Sequence, residues 1–330
     1  MDLSTNYLGL QLRNPVIVAS SPISKKVDEA KKAEAAGAAA IVMYSLFEEQ
    51  IQQEQKALDK FLNANVDCFS EALSYFPEPA SYANIDAEAY IKHLEQVKRG
   101  TSIPVIGSLN GVSSGGWMKY AKRMEEAGAD AIELNVFYVP ANLELSPSEI
   151  EDRYIDNLRA IKSEVKIPVA VKLSPFFTAL GHFAKRLNEA GADGLVLFNR
   201  FFCPDIDLEK LEVTPQLFLS DKTENRLVLR WIAILHGHMK ANICATSGIR
   251  DAEDVLKMMM AGANAVAICS VLLQNGPAHI AKILDGMRHW MADHEYTSIE
   301  QMRGSMSYRS VAEPSAYERA NYMKTIQLFE

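Results

Sequence analysis

Eight apolar, strand-like runs alternating with eight amphipathic stretches predict an α/β chain closed into a TIM (β/α)8 barrel. Three observations carry that prediction. The first is a phrase that recurs four times, as EAAGAAAIVMY (34–44), EEAGADAIELN (125–135), NEAGADGLVLF (188–198) and MMAGANAVAIC (259–269). In each copy an amphipathic run stops at Ala-Gly, and glycine suits the left-handed residue that ends a helix. An apolar run without alternation follows, as expected of a strand buried on both faces. The second is size: 330 residues, 48% hydrophobic and 23% charged, are enough for one large core and exclude disorder as the main state. The third concerns the alternative, a doubly wound open sheet, whose G-x-G-x-x-G fingerprint is missing after the first strand, where 19–24 read ASSPIS.

Taken in order, the predicted strands are PVIVAS (15–20), AAIVMY (39–44), PVIGSL (104–109), AIELNV (131–136), PVAVKL (168–173), GLVLFN (194–199), NICATS (242–247) and AVAICS (265–270). The helices between them fall at 27–36, 86–99, 115–127, 148–163, 178–190, 223–239, 251–261 and 277–293. Two connections are too long for turns: 45–85 after strand 2 and 200–222 after strand 6. Both leave C-terminal strand ends, where barrel active sites lie, and so are candidate lids or substrate walls. Residues 295–330 form a C-terminal extension whose AYERANYMKTIQLF reads as a packed terminal helix. Nothing marks a second domain, so 1–330 is read as one.

Formal charge is −8, from 34 basic and 42 acidic residues, which argues against a nucleic-acid binder. The cysteines Cys68, Cys203, Cys244 and Cys269 are scattered, without a C-x-x-C, so no structural metal is expected. The opening MDLSTNYLGLQLRNP lacks a signal-peptide layout, and no apolar run approaches a membrane span. A soluble cytoplasmic protein is expected.

Chemistry concentrates at the predicted strand ends. Strand 7 ends in Thr246-Ser247-Gly248, with Asp251 and Asp254 opening the next helix; strand 8 ends in Cys269-Ser270, with Gly276-Pro277 beyond. Small residues at these adjacent ends expose backbone N–H groups, which is how many barrels hold a phosphate. The pattern alone leaves open a flavin, a sugar phosphate or pyridoxal. Asn110, Asn135 and Asn199 close strands 3, 4 and 6, and Lys172 lies inside VAVKLS of strand 5. A lysine among apolar residues is costly unless it meets an anion or an electron-rich ring. The asparagines offer donors and acceptors suited to a planar heterocycle. By contrast, His236 and His238 read as helix-end residues on the opposite face, Met258–Met260 as core, and EEQIQQEQK as a solvated helix face.

Over nearly its whole length the chain resembles the dihydroorotate dehydrogenases, FMN-containing barrels of pyrimidine biosynthesis. The carrying segments are LGLQLRNPVIVAS (8–20), ELN (133–135), VKLSP (171–175), TSGIRDAED (246–254), AGANAVAICS (261–270) with GP (276–277), and SIEQMRG (298–304). The resemblance implies an N-terminal hairpin, an FMN cofactor and an oxidoreductase. It places Ala19 and Ser20 beside the flavin ring, Asn135 on ring or ribityl oxygens, and Lys172 at the N1–O2 edge. Ser247, Gly248, Cys269 and Ser270 would hold the phosphate, Asn199 would face a pyrimidine substrate, and Ser108 and Asn110 would lie near the flavin. It further implies a small-molecule substrate, dihydroorotate or a related cyclic amide, and a homodimer.

Three departures stand against that match. Where the family carries a catalytic cysteine or serine after the strand-4 asparagine, this chain reads Asn135-Val136-Phe137-Tyr138-Val139-Pro140, which makes Tyr138 the candidate base. The family's strand-2 lysine is replaced by Met43, and its N-x-x-G-x-x-N substrate segment has no equivalent within 60–80. A phenol acts as a base at neutral pH only beside a cation, Lys172 or another; Cys203 is the weaker substitute. Two other classes stay open: a lyase or isomerase using Lys172 as a Schiff-base nucleophile, and a flavin-binding barrel without turnover.

Overall fold

The structure is a computed structural model and describes residues 1–52, 87–113, 115 and 118–329. Two short strands, β1 (Thr5–Tyr7) and β2 (Leu10–Leu12), pair as an antiparallel hairpin. The barrel follows in β3 (Val16–Val18), β4 (Ile41–Val42), β5 (Leu46–Phe47), β6 (Val105–Asn110), β7 (Ala131–Asn135), β8 (Val169–Leu173) and β9 (Gly194–Leu197). After a second hairpin, β10 (Pro204–Asp207) with β11 (Glu212–Pro215), it resumes in β12 (Asn242–Thr246) and β13 (Ala265–Ile268). All barrel pairings are parallel, and both β4 and β5 pair with β6, so they are two pieces of one interrupted strand. The β4–β6 pairing closes the ring: eight strands, as the sequence predicts.

The helices that shield the ring include α1 (Val27–Ala35), α2 (Ala87–Gly100), α3 (Lys119–Glu126), α4 (Pro147–Glu164), α5 (Leu180–Glu189), α6 (Asn225–Leu235) and α7 (Ala252–Ala261). A short α8 (Ser270–Asn275) precedes the long α9 (His279–Asp293), between the Cys269-Ser270 strand end and Gly276-Pro277. The repeated Ala-Gly does what its position predicts. Gly37, Gly128, Gly191 and Gly262 take φ of +108°, +94°, +99° and +119°, each turning the chain from helix towards strand.

The core has two compartments. Between strands and helices lies a shell that contains Leu94, Met124, Leu158, Phe183 and Met287. Inside the barrel is a second cluster, rich in small residues: Ala39, Ala40, Ala131, Ala170, Ala265 and Ala267 with Ile17, Val42, Ile106, Val196 and Cys244. Small lumen residues leave room for the N-terminal hairpin to plug the floor with Tyr7, Leu8 and Leu12. Gly194 is part of that fit, since a Cβ there would come within 2.7 Å of Leu8 Cδ2. The plug is bolted down by polar contacts: Leu8 N donates to Asn242 Oδ1 at 2.7 Å, and Asn264 Nδ2 donates to Asn6 O at 3.1 Å.

Several expectations need correction. The connection after strand 6 contains the exposed β10–β11 hairpin, which its mixed DIDLEKLEV pattern conceals. The run that begins at Glu48 is not simply a solvated face: Glu48, Gln50 and Ile51 are buried, and Glu48 Oε2 accepts from Val112 N at 2.8 Å and Ser113 N at 3.1 Å. This carboxylate ties the loop after strand 2 to the loop after strand 3. The remaining residues of that long connection, including Cys68 and 60–80, lie outside the described residues. The extension fastens through α10 (Ile299–Met302), where Ile299 and Met302 are fully buried, but α11 (Arg319–Ile326) buries no side chain and is not a packed helix. Its apolar residues Tyr322, Met323 and Ile326 are exposed.

Candidate active site

The lumen residues fix which side chains reach the C-terminal mouth. Side chains alternate along a strand, so Ile106, Ala131 and Ala170 in the lumen put Ser108 and Asn110, Glu133 and Asn135, and Lys172 on the same face above them. Register then aligns them: Asn110 pairs with Asn135, and Asn135 with Lys172, in a single row across β6, β7 and β8. All three are buried. Asn199, just past β9, joins the row by donating from Nδ2 to Asn135 Oδ1 at 2.7 Å. The four polar residues expected to converge do share one mouth.

Beneath the row lies Glu133. Lys172 Nζ donates to its Oε1 at 2.9 Å, with side-chain exposures of 9% and 4%. The sequence contains the signal in ELN: a carboxylate two residues before Asn135 faces the lumen, next to the strand that carries the buried lysine. The motif shows the carboxylate but not its partner, which is set by register across the barrel.

A second group lines the side formed by the first three strands. Ser45 Oγ lies 3.2 Å from Ser20 Oγ and 2.9 Å from Ser108 Oγ, and the Tyr90 hydroxyl accepts from Ser108 N at 3.2 Å. Burial pushes the Tyr90 phenol far up, so it stays a neutral partner. Ser45 is therefore the strand-2 side chain at the mouth. Met43 is fully buried in the outer shell.

The third group lies at β12 and β13. Ser247 and Gly248 both take the left-handed conformation, with φ of +81° and +71°, and Ser247 Oγ donates to Phe198 O at 3.0 Å. Gly248 has no room for a side chain: a Cβ would lie 2.4 Å from Asp221 O. Asn225 Nδ2 donates to Gly248 O at 3.3 Å and to Asp254 Oδ1 at 2.9 Å, holding the turn. Next to it Ser270 opens α8, whose N-cap residue Cys269 makes no side-chain cap while its carbonyl accepts from Leu272 N at 2.9 Å and Leu273 N at 3.0 Å. Ser220 Oγ donates to Ser270 Oγ at 2.8 Å, and Arg250 Nη1 donates to Ser220 O at 2.9 Å. Neither Ser220 nor Arg250 was picked out by sequence reasoning; the loop after strand 6 that brings Ser220 here gives no local motif. Burial raises the Cys269 thiol, with the nearby Lys172 ammonium opposing it.

These groups fit FMN by the chemistry of their donors. Small residues, Ala19 and Ala267, meet the top of the lumen, where a planar ring needs clearance. Amides, hydroxyls and the Lys172 ammonium line the mouth, and the left-handed Ser247-Gly248 turn stands beside it.

Tyr138 is the exception. Its half-buried ring lies 5.2 Å from Arg153 Cζ of α4, so the cation brought to this ring is Arg153. Phe137 instead packs on Phe201 at 4.7 Å between centroids, and Phe201 on Phe176 at 5.1 Å. The loops after strands 4, 5 and 6 thus share an aromatic rim that no motif announced. Cys203 is exposed in the third of these loops.

Comparison with known sequences agrees with this architecture. Residues 2–291 match the family model for dihydroorotate dehydrogenase, and the chain belongs to that family. It is a flavin-dependent dehydrogenase acting on a CH–CH bond. Among its relatives is the putative dihydroorotate dehydrogenase A (fumarate) of Aeropyrum pernix, 29% identical over 92% of this chain and 97% of the relative. The catalytic subunit of dihydroorotate dehydrogenase B (NAD(+)) from Methanocaldococcus jannaschii is 27% identical over 92% and 97%. The NAD-dependent dihydropyrimidine dehydrogenase subunit PreA of Escherichia coli K12 is 24% identical over 92% of this chain and 76% of its own length. Identities this low mark a divergent member.

Proposed function

We propose that the protein binds FMN and oxidises or reduces a C–C bond of a small cyclic amide other than dihydroorotate. The observation that carries the reading is a divided site. The buried Lys172–Asn135–Asn110 row and the turns at Ser247-Gly248 and Cys269-Ser270 suit a flavin, while the segment after Asn135 offers Phe137 and Tyr138 in place of a thiol or small hydroxyl. Relatives named for dihydroorotate and for dihydropyrimidine both lie within reach of this chain. The second class lacks no essential feature of this mouth, since a neutral cyclic amide needs only donors and acceptors such as Asn199 and Asn135.

FMN, when bound, supplies the two-electron chemistry. The chain does the rest. Lys172 would hold the flavin by its charged edge, supplying a positive charge that favours the reduced ring. Asn199, held by its hydrogen bond to Asn135, orients the amide edge of the substrate, while Asn135 and Asn110 stay in the row that suits the flavin. Tyr138 carries the one hydroxyl of segment 136–140 and is assigned the proton that leaves or enters the substrate carbon. The aromatic rim of Phe137, Phe201 and Phe176 offers apolar surface beside the mouth. Relatives named as subunits support a further chain or a second copy as partner, and a homodimer in the cytoplasm is the simplest form. Among the described residues no helix is long and apolar enough to cross a membrane.

The test begins with the purified protein's visible spectrum. A flavin band near ~450 nm is expected, and a colourless protein that binds no added FMN would remove this reading in favour of Schiff-base chemistry. With flavin in place, dihydroorotate and dihydrouracil are compared as reductants under exclusion of oxygen. Faster bleaching by dihydroorotate would overturn the substrate assignment.

A further inference from the structure

We infer that Glu133 is a positioning residue that anchors Lys172 and offsets its charge, and thereby sets the reduction potential of the flavin held above it. The inference rests on the flavin reading of the mouth. It starts from the ion pair between Lys172 Nζ and Glu133 Oε1 at 2.9 Å, on adjacent strands with both residues buried. The other groups that sense the carboxylate are the Tyr7 phenol from the floor plug, the Cys244 thiol of β12 and the Tyr90 phenol of α2. All three are buried and pushed towards their neutral forms, the Cys244 thiol up to about 12. Lys172 is thus the counter-charge of this carboxylate.

Stability does not explain why a pair should lie here. Apolar residues of the same volume usually serve a core as well as a buried ion pair does, and the next lumen-facing residue down each of the two strands is an alanine, Ala131 and Ala170. Position explains it better, because Lys172 belongs to the Asn110–Asn135–Lys172 row and Glu133 lies directly below that row. An unpaired lysine would present its full charge to the ring and could take several rotamers. Glu133 holds the ammonium in one place and weakens its field. Reduced flavin, which carries more negative charge, is then favoured less than a bare lysine would favour it.

The test uses the full chain loaded with FMN and reads the midpoint potential by equilibration with a reference dye. Glu133→Gln keeps the shape and removes the charge. It should favour the reduced over the oxidised flavin by about tenfold or more, which for a two-electron couple is a rise of about 30 mV or more. Glu133→Asp, which keeps the charge, should stay closer to the parent. An unchanged potential in Glu133→Gln overturns the inference and leaves the flavin reading intact, whereas failure to bind FMN in the parent protein removes the reading itself. Where Glu133→Gln alone does not fold, Lys172→Gln is compared with Lys172→Gln/Glu133→Gln, of which only the former keeps the carboxylate. The double variant should then have the higher potential, and equal potentials overturn the assignment.

Discussion

At the scale of single residues, the site divides between a lysine whose surroundings are explicit and a tyrosine whose surroundings are unexpected. Lys172 is buried, paired and in register with Asn135. Its removal should leave the ring without its nearest positive charge: Lys172→Ala should slow flavin reduction by about 10²-fold or more and lower the potential. A folded variant that holds FMN and is reduced at the parent rate would refute the role. Tyr138 is argued from its place in the chain, and its ring meets Arg153 at the rim. If its hydroxyl handles the substrate proton, Tyr138→Phe should cost about 10²–10⁴-fold in reduction by the true substrate, with FMN binding unaffected. Rapid reduction by dihydroorotate, indifferent to Tyr138→Phe, would show that the proton leaves by another route. The placement of Asn110, Asn135 and Lys172 at the mouth and the turn at Ser247-Gly248 were legible in the sequence because strand ends and small turns announce them. Glu133, Ser45 and Ser220 were not, because their roles depend on which residue faces them across the barrel, and that is set by register.

At the scale of elements, strand and helix positions were legible to within a few residues because the period of burial is strong and the Ala-Gly stops repeat. What escaped was the β10–β11 hairpin, whose pattern has no single period; α11 was legible as a helix, but its exposure was not. The His-Gly-His segment shows the opposite case, a modest motif whose predicted role holds. His236 caps α6 at the barrel's lower end, its Nδ1 3.0 Å from Gly262 O. A Cβ on Gly262 or Gly304 would come within 2.2 Å of the ring, so both glycines leave space for it. Burial, then the nearby Arg303 and Arg309, holds the imidazole below its usual range despite the bond to Gly262. The unfolded chain takes up this proton as pH falls through about 6.5, while the folded chain resists it. His236 therefore destabilises the fold progressively below that pH and has no such effect above it. Urea midpoints should drop between about pH 7 and about pH 5.5, and drop less in His236→Asn. Equal pH slopes in the two proteins would remove His236 as the source.

At the scale of the whole molecule, the barrel is a cylinder closed at its floor by the N-terminal plug, with polar groups lining its opposite mouth. Small lumen residues serve the lower end, since they admit Tyr7 from below. The phosphate end of a ligand seated at the mouth would lie between β12 and β13, where Gly248 and Ser270 meet Ser220 and Arg250. That layout sets the cofactor's size. It has one phosphate turn and no dinucleotide fingerprint in 19–24 or elsewhere to hold an adenylate, so FMN should be the cofactor released by heat. A ligand that binds only the folded chain stabilises it by mass action, about 2.7 kcal/mol at a hundredfold excess over Kd. Flavin-stripped protein should therefore melt higher with FMN than with riboflavin, which lacks the phosphate, and FAD should add no more than FMN does. Gly248→Val, which puts side-chain atoms against Asp221 O, should erase the difference between FMN and riboflavin by closing the turn. Release of FAD as the main species, or an equal rise with riboflavin, would place the phosphate seat elsewhere and with it the orientation of the ring over Lys172.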